Sequence, residues 1–372
     1  MMAGVSRRMY FSRREGEFPN HFDLLGVRYE KVEDLRYGTN PHQAAAFYRA
    51  VGREQVLGSY RLLKSGKSGL SETNLEDMDR ALRIVKYCER PACAVMKHLN
   101  PSGAAEAIGE ETLRNVYRRA RDCDRQAAFG STVAVNRPLD GGTAEEIMTT
   151  VVECVVAPGY SDHARAVLES GAERGRNREL RVVEIDDLAA LHCFAGDGPT
   201  GRFDVRVLDD GSLVLAEPML TAIRSVDDLM LARAEGGAGR DIAITRSPTA
   251  RELEDALFAW HVAMNVRSNA MVVVKHGATV AVGTGEQDRI GALEQAIEKY
   301  RRKYRGPDSL EGAVLASDGY IPFRDCVEAA AGAGVTTIVQ PGGSRNDWDV
   351  IAACNELGVS MLFTGERAFS HH

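Results

Sequence analysis

Apolar residues fall into two alternating rhythms along this chain. Leu75, Met78, Leu82 and Val85 recur at helical spacing and predict one buried helix face. Residues 92–96 form an unbroken apolar run of strand length. A helix is expected over about 105–122 and a strand over 127–135. The Thr/Ser-x-x-Glu signature of a helix start occurs at Thr73 with Glu76, at Thr143 with Glu146 and at Thr249 with Glu252. A strand is expected at 154–157, after the helix capped by Thr143, and the Thr249 helix should run to about 266. Segments 270–275 and 279–282 read as a strand pair turning at Gly277. Ile290, Leu293, Ile297, Tyr300 and Tyr304 mark a further helix face. The last third predicts strand 313–316, helix 324–334, strand 336–339, helix 346–357 and strand 360–363.

This alternation predicts an α/β protein, with helices covering mixed sheets. Residues 1–25 read as a poorly ordered arm. Gly196, Gly198, Gly201 and Gly211 mark turns around a domain boundary near 200, giving lobes over 26–200 and 201–372. One echo suggests that the lobes are related. Val95-Met96-Lys97-His98 and Val273-Val274-Lys275-His276 both end an apolar strand with Lys-His.

Composition narrows the possibilities. The 372 residues suggest two or three domains at about 150 residues each. Hydrophobic residues make up 44% and charged residues 27%, which excludes wholesale disorder. With 46 Lys plus Arg against 53 Asp plus Glu, the net charge of −7 argues against a general nucleic-acid binder. The seven Cys are odd in number and form no Cys-x-x-Cys pair, so they read as buried reduced thiols rather than a disulfide or zinc framework. The basic N-terminus is followed by no apolar run, and no stretch approaches the roughly 20 apolar residues of a membrane span. The expectation is a soluble, cytoplasmic protein.

Two polar runs carry candidate chemistry. Lys97-His98-Leu99-Asn100-Pro101-Ser102-Gly103 brings Lys and His to a strand end. Asn-Pro-Ser-Gly is expected to turn, and Ala104 to Ala107 to open a helix whose N-terminus favours anions. In open α/β sheets ligands collect at the carboxyl ends of strands. His98 can serve as a general base and Lys97 as a charge for a developing oxyanion. The same run also reads as a surface Lys-His pair at an ordinary turn. Leu35-Arg36-Tyr37-Gly38-Thr39-Asn40-Pro41-His42-Gln43 offers an Arg fork for phosphate and a Tyr surface, or is simply a solvated loop. Gly283-Thr284-Gly285 fits neither the dinucleotide fingerprint nor the phosphate loop. Pro341-Gly342-Gly343-Ser344 offers backbone N–H groups to an anion, or is a tight turn with Ser344 as helix cap. No zinc-deaminase, Gly-x-Ser-x-Gly or His-Glu-x-x-His motif occurs.

Taken together, the motifs resemble one family. Leu35 to Gln43, Lys97 to Gly103, Ala128-Phe129-Gly130, Ala157-Pro158-Gly159-Tyr160 and Ser268-Asn269-Ala270 are similar to the AICAR transformylase part of the bifunctional purine-biosynthesis proteins. So are Leu315 to Asp325, Gln340 to Ser344 and Phe363 to His372. The resemblance spans about residues 18–372. It implies two lobes of cytidine-deaminase-like fold, in three α/β/α layers without that fold's zinc site, and a homodimer with active sites at its interface. It implies formyl transfer from 10-formyltetrahydrofolate to the 5-amino group of AICAR, and a monovalent cation such as K+ as a further candidate ligand.

The resemblance also assigns residues. Lys97, His98 and Asn269 would be catalytic. Arg36, Tyr37, Asn74, Phe129, Gly130, Glu153 and Arg367 would hold the nucleotide, with Arg36 and Arg367 near its phosphate. Arg289, Ile290, Tyr320, Asp325, Ser344 and Arg345 would line the folate region, and no residue would bind a metal. Positive charge should concentrate at Arg36, Lys97, Arg289 and Arg367. Three motifs depart from the family pattern: Ser131 for Gly, Tyr320-Ile321 for Phe-Phe, and Arg267 for Lys. The altered folate stretch motivates one alternative, a formyltransferase with another donor or acceptor; a silent nucleotide-binding relative is a further one. The length leaves no room for the family's cyclohydrolase domain, so a single activity is expected.

Overall fold

The structure is a computed structural model describing residues 15–66, 68–170, 177–197, 203–235 and 241–371. It opens on an antiparallel meander of β1 (His21–Leu24), β2 (Val27–Asp34) and β3 (Ala46–Ala50). Phe22 stacks on Tyr29 at 5.3 Å and meets Tyr48 edge-on. These ring contacts make residues 21–24 a strand rather than part of the expected arm, whose residues 1–14 lie outside the described residues.

The first half follows as β4 (Arg61–Ser65), α1 (Glu72–Val85), β5 (Ala92–Lys97), β6 (Asn100–Glu106), α2 (Leu113–Asp122), β7 (Ser131–Val135), α3 (Gly141–Ile147), β8 (Val152–Ala157), α4 (Asp162–Ser170) and β9 (Arg181–Glu184). Two hairpins, β10 (Asp204–Val207) with β11 (Leu213–Ala216) and β13 (Arg233–Glu235) with β14 (Asp241–Ala243), flank the short β12 (Met230–Leu231). The second half contains α5 (Ala250–Ala263), β15 (Met271–Lys275), β16 (Ala278–Gly283), α6 (Arg289–Lys303), β17 (Ala313–Ser317), α7 (Arg324–Gly332), β18 (Val335–Gln340), α8 (Asp347–Leu357) and β19 (Ser360–Phe363).

Twelve strands form one mixed sheet in the order β12-β19-β18-β17-β15-β16-β6-β5-β7-β8-β9-β4. Each six-stranded half has the same order and the same strand directions, and β16 joins β6 antiparallel. Alternate strand residues face two different apolar layers, as a period of two requires. Cys154, Val156, Val272 and Val274 pack under α1 and α5 in one layer that crosses both halves. On the other face, Val95, Val133 and Val155 meet α2 to α4, and Met271, Val273 and Leu315 meet α6 to α8. Because both faces are covered, β5, β15 and β17 read as near-continuous apolar runs rather than alternating ones.

Several sequence expectations are corrected here. The segment from Asn100 is a strand, not a turn leading into a helix, and α2 starts only at Leu113. Pairing with β5 on one side and β16 on the other overrides the helical propensity of its alanines. Small residues are needed there because a Cβ on Gly103 would lie 2.0 Å from the Ala120 carbonyl oxygen of α2. The strand expected from 127 begins at Ser131, since the Asp124 carboxylate accepts the Ala127 N–H at 2.9 Å and holds a turn. The cap of α1 is Ser71 with Asn74, not Thr73, and that of α3 is Asp140, not Thr143. Thr249 with Glu252 does cap α5. The expected boundary near 200 falls among residues 198–202, outside the described residues.

The Lys-His echo occupies equivalent turns. His98 and Leu99 (φ 52° and 63°) join β5 to β6, and His276 and Gly277 (φ 49° and 69°) join β15 to β16. Each turn leans on an aspartate six residues past a helix cap. Asp77 accepts the Leu99 N–H at 2.8 Å, and Asp255 accepts those of His276 and Gly277 at 2.8 and 2.7 Å.

Two predictions follow from this framework. Asp77→Ala leaves the Leu99 N–H without its acceptor beside a strained turn, and should cost about 2 kcal/mol in urea unfolding; Asp77→Asn, which keeps an acceptor oxygen, should cost less than half of that. Glu252 accepts from Thr249, Arg246, Thr336 and Thr337 at 2.6–3.0 Å. Burial opposes its ionisation, but these donors outweigh burial and bring its pKa down to about 2. A depressed carboxylate stabilises the fold above the unfolded value of about 4.5, and that stabilisation is lost as pH falls toward 2. Glu252→Gln should therefore cost about 2–3 kcal/mol at pH 7, and the gap to wild type should close in unfolding titrations between pH 4.5 and 2.

Candidate functional site

Lys97 ends β5, and its ammonium donates to the Gly130 carbonyl at 2.6 Å. Gly130 is left-handed (φ 69°), and a Cβ there would stand 3.0 Å from the Lys97 Nζ and 3.9 Å from Glu153 Oε1. A side chain at 130 would thus displace the amine. His98 is exposed beside it. Burial raises the Asp77 pKa above its ordinary value, against the Leu99 N–H and the nearby His98 and Lys97.

Glu153, near the start of β8, and Arg181, the first residue of β9, extend the cluster. Asn74 has a double role. Its Oδ1 accepts from the Ser71 N–H and hydroxyl at 3.1 Å, which completes the α1 cap, and its Nδ2 faces Glu153 Oε2 at 3.4 Å. The segment holding Arg36 and Tyr37 is pinned to the start of α1, because Arg36 N–H donates to the Leu70 carbonyl and Glu72 N–H to the Tyr37 carbonyl. The Arg36 guanidinium donates to the Tyr37 hydroxyl at 2.7 Å and lies 4.4 Å from its ring centroid. Burial and then Arg181 lower the Arg36 pKa, against Tyr37, Glu153 and Glu179. Arg36 Nε and one terminal nitrogen of Arg181 are buried without a hydrogen-bond partner among the described residues. Buried guanidinium donors with spare capacity suit an anionic group.

A second cluster comes from the other half. Ser268–Asn269 is a cis peptide, and Asn269 donates to the Glu286 carbonyl through its side chain at 2.9 Å. Asp318 is wholly buried and accepts the Ala270 N–H at 3.1 Å and an Arg289 hydrogen bond. Arg289 also donates to the Ser317 hydroxyl at 3.0 Å. It is therefore a buried, compensated cation, not the open charge that the sequence suggested. Arg367 lies 4.5 Å from the Phe369 ring centroid, and Arg289 lies 5.6 Å from the same ring.

The remaining candidates are more dispersed. Phe129 is 62% exposed, so it fills no core, and Tyr320 is 45% exposed. Ile290 is half-buried on the first turn of α6, and Arg345 is exposed. Asp325 sits in the first turn of α7, where it accepts the Cys326 N–H at 2.7 Å. Ser344 precedes α8 but does not cap it: Asn346 is the cap residue, and Ser344 Oγ accepts its N–H at 3.1 Å.

Both clusters line one end of the sheet. The first half contributes the carboxyl end of β5 but the amino ends of β7, β8 and β9, and only the second half presents the carboxyl ends of its parallel strands. Strand carboxyl ends, where the sequence led us to expect ligands, therefore supply only part of this end of the sheet. The antiparallel seam sends the second Lys-His pair to the opposite end. There Lys275 donates to the Glu311 carbonyl and His276 pairs with Asp308 at 2.7 Å. Sequence reasoning gave no role to Asp77, Asn100, Arg181 or Asp318, although Asn100 and Asp318 lie within motifs it singled out. For Asp77 a signal existed, since it follows its helix cap by the same six residues as Asp255. Among the described residues no group of three or more His, Cys, Asp or Glu side chains could hold a metal. Among the described residues no helix is long and apolar enough to cross a membrane.

Known proteins match this chain over most of its length. The family described as "AICARFT/IMPCHase bienzyme" matches residues 5–299. The bifunctional purine biosynthesis protein PurH of Acetivibrio thermocellus is 37% identical over 357 residues, 96% of this chain and 62% of that protein. Those of Roseobacter denitrificans and Synechocystis sp. are 40% and 38% identical over 97% of this chain and 63% of theirs. The chain thus spans less than two thirds of the relatives it matches. All three are bifunctional, so the single-activity expectation drawn from length gains no support from them. The match places this chain in the AICARFT/IMPCHase bienzyme family.

Proposed function

We propose that this chain transfers the formyl group of 10-formyltetrahydrofolate to the 5-amino group of AICAR, giving FAICAR and tetrahydrofolate in the penultimate step of IMP synthesis. The observation that carries the reading is the Lys97–His98 pair beside Glu153 and the buried, partly unpartnered guanidinium groups of Arg36 and Arg181, on the sheet end that also receives Asn269 and Arg367.

The chemistry asks for such groups. The AICAR amine is a weak nucleophile because its lone pair is delocalised into the imidazole and carboxamide. As its nitrogen attacks the formyl carbon, His98 accepts a proton from it directly or through the carboxamide. Lys97 faces the tetrahedral oxyanion and supplies a proton to folate N10 as the C–N10 bond breaks. Asn269 orients the reacting groups. Arg36, Tyr37 and Arg367 hold the phosphate end of the nucleotide, and Asn74, Phe129, Gly130 and Glu153 its base and ribose. Tyr320, Ile290, Asp325, Ser344 and Arg345 line the folate side, where Arg289 acts by holding Asp318 in place.

A homodimer with its sites at the interface belongs to the same proposal. The β10–β11 hairpin exposes Val207 (70%) opposite Leu213 (52%), apolar surface suited to burial against a second copy. The expectation of a bound monovalent cation rests on the resemblance alone.

Purified protein should convert AICAR only when 10-formyltetrahydrofolate is supplied, with tetrahydrofolate released in step. No conversion with both substrates saturating would overturn the proposal, and turnover with formate plus ATP instead would favour another donor. Lys97→Ala and His98→Ala should each lower kcat by about 10²–10³-fold without shifting the melting temperature. The same preparation given FAICAR should form no IMP if formyl transfer is its single activity. Val207→Asp combined with Leu213→Asp should turn a dimer into a monomer in sedimentation velocity and abolish formyl transfer.

A further inference from the structure

We propose that Asn100 is the positioning residue that registers the Lys97–His98 pair against the Asn269 segment of the other half. The inference rests on the formyl-transfer reading above. Asn100 opens β6 directly after the His98-Leu99 turn and stands opposite Lys97 in the ladder. Its Nδ2 donates to the His98 carbonyl at 3.3 Å. Its Oδ1 accepts the Arg267 N–H at 2.9 Å and the Thr284 hydroxyl at 2.8 Å. One planar amide therefore joins three segments: the Lys-His turn, the stretch that leads into Asn269, and the loop after β16. An amide is the group that can do this, with a donor at one end and an acceptor at the other. Aspartate accepts but cannot donate, and alanine does neither.

The molecule contains its own control. The β15–β16 hairpin has the same left-handed turn and the same aspartate buttress, yet the position equivalent to Asn100 is Ala278, buried and apolar. Forming such a hairpin does not require the amide. Joining the halves does not depend on it alone either. Further along the seam, Ala278 pairs with Ala105, and Thr279 Oγ1 accepts the Ala104 N–H at 2.9 Å. What Asn100 adds lies at the catalytic end, where it ties the candidate base to the segment carrying Asn269. A misplacement of about 1 Å between such groups is enough to cost roughly 10²-fold in rate.

The test compares Asn100→Ala, Thr284→Val and the double variant with wild type. Asn100→Ala should lower kcat by about 10–100-fold while KM for AICAR changes less than about threefold and the melting temperature stays within a few degrees. Thr284→Val, which removes one donor to the same oxygen, should lower kcat by about 3–10-fold. The double variant should be no slower than Asn100→Ala, because both act through one clamp. Hydrogen exchange gives a readout independent of turnover: amides of 267–270 should exchange faster in Asn100→Ala, and those of 92–96 should not. Wild-type kcat in Asn100→Ala, multiplicative losses in the double variant, or unchanged exchange at 267–270 would each overturn the proposal. If the wild type fails to formylate AICAR, the formyl-transfer reading falls and the exchange result alone decides whether the clamp exists.

Discussion

The antiparallel join between β6 and β16 is the constraint on which the rest depends. Each half-sheet alone would present an unpaired edge, a liability for any β-structure. Pairing the two edges removes both and makes one twelve-stranded sheet. The join demands small residues, because α2 lies almost on the backbone at Gly103 and α6 lies as close at Gly283, where a Cβ would fall 1.9 Å from the Ala292 carbonyl oxygen. It also inverts one half relative to the other. That inversion brings the amino ends of β7 to β9 together with the carboxyl ends of β17 to β19, and the candidate site is built from both.

Two similar Lys-His turns have different fates because the residues around them differ. Asn74 and Glu252 hold the same place after their helix caps, and Glu153 and Thr336 the same place in their strands. In the second half Glu252 is fully engaged by Arg246, Thr336 and Thr337. In the first half a neutral Asn74 faces Glu153 across a long 3.4 Å contact, and two neighbouring guanidinium nitrogens, Arg36 Nε and one of Arg181, have no partner among the described residues. A satisfied network rigidifies a core, whereas an unsatisfied buried donor has bonding capacity left for a ligand. One framework thus carries a structural version and a binding version of the same arrangement.

Much of the framework was legible from local pattern. The faces of α1 and α6, the Thr249–Glu252 cap and the strand–helix alternation after Met271 appear where periodicity placed them. Errors gathered where local preference and long-range pairing disagree. The run Pro101 to Ala105 looks like a turn followed by a helix, but two flanking strands and a helix above make it one of the two middle strands of the sheet. The caps at Ser71 and Asp140 were missed in favour of plausible Thr-x-x-Glu spacings nearby.

For the site, the chain by itself supplied the chemistry-bearing residues and the ordered motifs that mark the family, because motif identity is a property of residue type and spacing. It could not show that Arg289 is spent on Asp318, that Arg36 lies beside Arg181, or that Asn100 reaches Arg267 and Thr284. Those relations join residues tens to hundreds of positions apart, and their spacing in the chain carries no trace of them. Only the tertiary packing decides this: folding within each half sets which charges are compensated and which are left to meet a ligand, and the sheet join sets the Asn100 contacts.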